Sequence, residues 1–87
     1  MKIGKHTAFM TAFLDEFAGG KMSREDFELD YSGYVIEHFR HMERENSALA
    51  KRFAQFVDPV FESSVTYSTE DFRIAINNAV CDLLDVP

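Results

Sequence analysis

The side chains of this 87-residue chain that could take part in chemistry are carboxylates, three histidines and one cysteine. Two carboxylates stand out, Asp58 and Glu62, in the run Asp58-Pro59-Val60-Phe61-Glu62. They follow an apolar helical repeat and no base lies near them in sequence. The end of a helix carries the negative pole of its dipole, which disfavours an acid. A locally unfavourable residue is a pointer to function. The competing structural reading is that Asp58 caps a turn through Pro59. His38, His41 and Glu45 form a second set, at i, i+3 and i+7 of one helix. Histidines one turn apart can bind a metal. No second motif supplies the remaining ligands, however, and the flank is basic (Arg40, Arg44), so a partly exposed helix face is expected and no metal. His41 and Glu45 then form an ordinary i, i+4 pair. Cys81 lies beside Val80 with no histidine near in sequence to activate it, and is expected as a small core residue. Glu25, Asp26, Glu70 and Asp71 fall in first turns of helices, where they offset the dipole. No glycine-rich phosphate loop, hydrolase elbow or zinc motif is present. The chain is therefore not expected to be an enzyme or to hold a cofactor.

Charge sharpens the pattern. Residues 1–52 carry nine acids against eight bases, whereas residues 53–87 carry six acids (Asp58, Glu62, Glu70, Asp71, Asp82, Asp85) against Arg73 alone. Nucleic-acid binders carry the opposite sign, because they must neutralise phosphates. An acidic half-surface favours cationic partners and speeds encounter with them. Solubility alone is the plainer explanation for such acidity.

These groups have to be positioned by a single domain, residues 1–87. A chain of this size buries only about 60–65% of its unfolded surface, so its core must be dense. Nine phenylalanines and four methionines supply that density. One cysteine allows no internal disulfide, no apolar run approaches the roughly 20 residues of a membrane span, and no signal-peptide core follows the first residues. A soluble, cytoplasmic protein is expected, with no membrane partner.

Four helices are predicted. The first runs from His6 or Thr7 to Ala18, with Phe9, Met10, Phe13, Leu14 and Phe17 on one face, and stops at Gly19-Gly20. The second opens at Met22-Ser23-Arg24-Glu25-Asp26-Phe27. There Ser23 caps the helix, Asp26 is placed to reach back to the cap, and Met22 and Phe27 have staple spacing. Its stripe continues through Tyr31, Tyr34/Val35, His38/Phe39 and Met42. Gly33 lies inside this stripe at a cost of about 1 kcal/mol in helix propensity, which close packing of a neighbouring helix would explain. Asn46 or Ser47 restarts the chain as the cap of helix three, which carries Leu49, Ala50, Phe53, Phe56 and Val57 and ends before Pro59. Helix four opens with Tyr67-Ser68-Thr69-Glu70-Asp71-Phe72, the same start signal as 22–27. Its apolar stripe is Phe72, Ile76 or Ala75, Val80, Leu83 and Leu84. The β-prone run 63–67 is too short for a sheet, and Val65 and Tyr67 within it are expected to tuck under the corner. Short connections favour an all-α, antiparallel up-and-down four-helix bundle.

Two stretches resemble one family. Phe17 to Phe27 is similar to the segment Phe-x-x-x-Lys-apolar-Ser/Thr-x-x-acid-Phe joining helices one and two in immunity proteins of the colicin D type. Ala54 to Phe72 resembles that family's segment between its last two helices: a helix ending in acid-Pro, then a hydroxyl-bearing loop through a Tyr into an acidic helix start. The resemblance spans roughly Phe17 to Leu84, and length, helix number and acidity agree. It implies a helical bundle that silences a tRNA-cleaving toxin by laying acids into the toxin's basic cleft. Charge-assisted hydrogen bonds would hold such acids on arginine and lysine sites. Asp58 and Pro59 match the family's acid-Pro. Two positions depart: Gln55 and Val60 stand where the family places further acids. The implied toxin-binding set is Gln55, Asp58, Phe61 and Glu62, with Glu70 and Asp71 adding to the acidic field. Phe61 would be an apolar anchor, or else a core residue under the loop.

The leading expectation is thus an immunity protein for a cognate ribonuclease toxin, with a protein partner and no direct nucleic-acid contact. The alternative is a small acidic helical regulator or nucleic-acid mimic, of phage type, with its acids spread along helices two and four. A third reading is an enzyme subunit or a metal-binding protein built around His38 and His41.

Overall fold

The computed structural model describes residues 3–85. The chain forms α1 (Lys5–Ala18), α2 (Arg24–Glu45), α3 (Ser47–Phe56), a short α4 (Asp58–Glu62), a 3₁₀ turn (Ser64–Thr66) and α5 (Thr69–Leu84). Four of these helices have ten residues or more. There is no strand among the described residues, and no described helix is long and apolar enough to cross a membrane.

Local chemistry sets the boundaries. α1 ends at Gly19-Gly20, and Gly20 adopts φ 81°, a conformation open to glycine without strain. The Ser23 hydroxyl accepts from the Asp26 amide at 3.1 Å, and the Ser68 hydroxyl accepts from the Asp71 amide at 3.1 Å. The two similar start signals therefore make the same cap. Asn46 separates α2 from α3 by itself: its amide donates to Met42 O, while its side-chain oxygen accepts from the Leu49 amide at 3.2 Å.

The amphipathic faces close on one core. Met10, Leu14, Phe17, Phe27, Met42, Leu49, Phe53, Val57, Phe72, Ile76 and Leu83 are all but inaccessible to solvent. Phe17 stacks on Phe27 (4.2 Å between centroids), Phe13 also stacks on Phe27 (4.9 Å), and Phe72 meets both Phe17 and Phe27 edge-on. Offset and edge-on aromatic pairs add stabilisation beyond the area they bury. α1 packs on α2 and α5, and α3 likewise packs on α2 and α5.

Several expectations require correction. Cys81 is exposed: the buried stripe of α5 is Phe72, Ile76, Ala79, Val80 and Leu83, and Cys81 sits one residue off it. Leu84 and Phe9 are partly exposed at the edges of their stripes. Val65 is 87% exposed. The 3₁₀ turn directs Ser64 inward instead, while Tyr67 packs against the core as expected. No helix lies against Gly33, where an added Cβ would meet nothing within 4 Å. The break between α2 and α3, expected at Asn46 or Ser47, falls at Asn46.

Candidate functional site

The run 58–62 does not trail off the end of α3. It is a helix of its own. Val57 keeps a helical backbone (φ −90°, ψ −51°), and the Phe61 and Ser63 amides bond Val57 O and Pro59 O at 3.1 Å each. Proline has no amide to donate and its ring crowds the preceding turn, so the α3 ladder breaks there. Proline is well tolerated in a first turn, so a new helix starts at the same place. This reverses the dipole reading of Asp58, which occupies the favoured acidic position of a first turn.

Asp58 also has an internal partner. Tyr31 is buried on α2, and its hydroxyl donates to Asp58 Oδ1 at 2.5 Å. Burial, then the hydrogen bond and charge of Asp58, drive the Tyr31 pKa far above its ordinary value, so the phenol stays protonated. Phe61 stacks flat on the Tyr31 ring, 3.9 Å between centroids, and is half-buried against the core. Asp58 and Phe61 thus lock α4 onto α2.

The other corner residues face solvent. Gln55 is exposed in the last turn of α3, Glu62 at the end of α4, and Glu70 and Asp71 in the first turn of α5. α4 packs on both α3 and α5, which brings these turns around one corner.

The nearby cations do not neutralise it. Arg73 donates to the carbonyls of Phe17 and Met22 (3.0 Å to the latter), with its guanidinium 4.6 Å over the Phe17 ring. Arg24 donates to Tyr67 O at 2.8 Å and Ser64 O at 2.7 Å, and its one ion pair is with Glu28 on its own helix. Arg52 binds the carbonyls of Asp82, Leu83 and Asp85 at the end of α5. Among the described residues, none of Asp58, Glu62, Glu70, Asp71, Asp82 or Asp85 has an ion-pair partner. The charge asymmetry of the sequence therefore survives folding. The carbonyl-binding role of the arginines carries no short-range sequence signal, since the partners lie 30 to 56 residues away.

The second set of candidates is gathered at the opposite end of α2, and sequence spacing missed one member. His6 of α1 joins His38 and His41. Its Nδ1 is 2.8 Å from His38 Nδ1, and its ring stacks on His41 at 4.3 Å. An Nδ1–Nδ1 contact needs one protonated and one bare nitrogen. Among the described residues no three His, Cys, Asp or Glu side chains converge in a metal-binding arrangement. Glu45 is not paired with His41 but caps α1, accepting from the amides of His6 (3.0 Å) and Thr7 (3.2 Å). Lost hydration raises the Glu45 pKa, but the His6 and Thr7 amide bonds outweigh it and hold the carboxyl below its usual range. Gly4 makes room for this cap, because a Cβ there would lie 2.6 Å from Glu45 Cβ.

Comparison with protein-family models, with curated proteins and with solved structures finds no match to this chain.

Proposed function

We propose that this protein is an immunity-type inhibitor, which protects the producing cell by inserting its acidic corner into the basic active-site cleft of a cognate tRNA-cleaving toxin of the colicin or contact-dependent-inhibition class. It acts by occlusion and not as an enzyme, in the cytoplasm, without cofactor or direct nucleic-acid contact. In this reading the four long helices form an antiparallel up-and-down bundle. The neighbour order α1, α2, α3, α5, closing from α5 back to α1, supports that arrangement.

The observation that carries the proposal is the uncompensated acidity of the half that begins at Phe53: its six acidic side chains have no cation partner among the described residues. Carboxylates without partners at home are available to charge-assisted bonds with arginine and lysine on another surface. Within the corner, Gln55, Glu62, Glu70 and Asp71 are the contact groups. Asp58 and Phe61 position α4. The alternative, an acidic regulator or nucleic-acid mimic, would be favoured by an exposed acidic stripe along α2 and α5, and the exposed Arg40 and Arg44 place positive charge on the α2 surface.

Co-expression with the product of the gene immediately upstream tests the class: that product should kill cells alone and be harmless in the pair. The triple variant Glu62→Lys, Glu70→Lys, Asp71→Lys should keep its helical fold, at a cost of about 1–2 kcal/mol because Glu70 and Asp71 offset the dipole of α5, and lose both protection and toxin binding. Normal protection by the triple variant would show that the site lies elsewhere. A neighbouring product without toxicity, and no basic partner on purification, would remove the immunity reading altogether.

A further inference from the structure

α2 presents an outer face that none of the described residues covers. Leu29 and Ile36 are each 79% exposed, one turn either side of Ser32 and Gly33, which are exposed as well. Glycine in the middle of a helix is unfavourable relative to alanine. It persists where a backbone must come close to something. Here the protein's own fold gives no such reason, because a Cβ on Gly33 would meet open space.

The face has an internal symmetry. Leu29 and Ile36 lie at equal distances, about 5 Å along the axis, on either side of the midpoint between Ser32 and Gly33. Glu25 and Arg40 lie at equal distances further out, about 11 Å. All are exposed and on one side of the helix, and neither Glu25 nor Arg40 has an ion-pair partner among the described residues. Of Glu28 and Glu37, which would oppose each other on the flanks, Glu28 is paired with Arg24 at 3.0 Å, and Glu37 lies 3.7 Å from the His38 imidazole.

We infer that α2 pairs antiparallel with α2 of a second copy of this chain, crossing at Ser32 and Gly33. A two-fold contact is self-complementary, so residue i meets j and j meets i. Leu29 then packs on Ile36 of the other copy and Ile36 on its Leu29. Glu25 faces Arg40 at both ends, and the small residues at the centre let the backbones approach. An unrelated partner gives no reason for opposite charges and similar apolar side chains to sit at equal distances about a small-residue centre. A second copy does. This surface is distinct from the acidic corner, and the inference does not depend on the toxin reading.

Sedimentation equilibrium of the full chain from micromolar to millimolar concentration reads the assembly, with circular dichroism confirming the fold of each variant. Wild type should be a reversible dimer. Leu29→Arg and Gly33→Leu should be monomeric, and both have room in the single chain. Arg40→Glu should weaken dimerisation about tenfold, through the loss of two exposed pairs. Adding Glu25→Arg to it should restore the wild-type constant. A wild-type chain that stays monomeric throughout overturns the inference, and so does a dimer that Leu29→Arg and Gly33→Leu leave intact. Failure of the charge swap to restore pairing overturns the antiparallel register.

Discussion

The acidic corner and the histidine end of α2 hold most of the chain's polar candidates, and they differ in how far the protein satisfies them itself. At the histidine end, Glu45 is engaged by two amides of α1 and the imidazoles contact one another. At the corner, Asp58 is engaged by Tyr31, while Glu62, four residues on, has no partner among the described residues. In the sequence both sets are candidates, the histidine set being expected as a partly exposed helix face and the 58–62 run as a candidate contact site. A carboxylate already bound within its own fold is poor material for binding another molecule, so the contrast directs attention to Glu62, Glu70 and Asp71.

That contrast can be broken at its strongest point first. Asp58→Ala leaves the buried Tyr31 hydroxyl without its acceptor and should destabilise the fold by about 1–3 kcal/mol in urea unfolding. A neutral result would put Asp58 back among the free acids. Next comes the alkaline limb. Tyr31 is held protonated in the fold but ionises in the unfolded chain near its ordinary value of about 10. The unfolded state therefore binds fewer protons above that pH, and stability should fall as pH rises through this region. Tyr31→Phe should flatten that fall, read from melting temperature against pH. Glu45 has the opposite sign. Its pKa is lower in the fold, so its contribution is present above the ordinary carboxylate range and is lost as pH drops through and below it. Glu45→Gln should remove this acid-side dependence and speed amide exchange in the first turn of α1. The smallest effect is expected at Glu62→Gln, within about 0.5 kcal/mol of wild-type stability. A large loss there would mean that the corner acids are structural after all.

Legibility in the sequence followed the range of the interaction. The caps at Ser23, Asn46 and Ser68 use partners three residues away, and each was readable. Most of the core stripe, from Met10 to Leu83, followed from helical periodicity. The bond from Tyr31 to Asp58 spans 27 residues, and the one from Arg73 to Met22 spans 51. No local pattern announces either. Asp58 was therefore flagged for a dipole conflict that the Pro59 restart removes. Val65 was misplaced because a 3₁₀ turn, not an extended strand, sets which side chain points inward. The convergence of His6 on His38 and His41 was likewise invisible until α1 was laid against α2.

Asn46 carries a further consequence, for the order of folding. With one residue closing α2 and opening α3, the loop between them is as short as it can be. Little chain entropy stands between the separated helices and their docked pair. Contacts between neighbours in sequence form ahead of distant ones in small domains. The α2–α3 hairpin is therefore the expected nucleus, and the arginine ties that reach 40 to 56 residues across the chain form after it. Asn46→Ala should chiefly slow folding, whereas truncating Arg73 should chiefly speed unfolding.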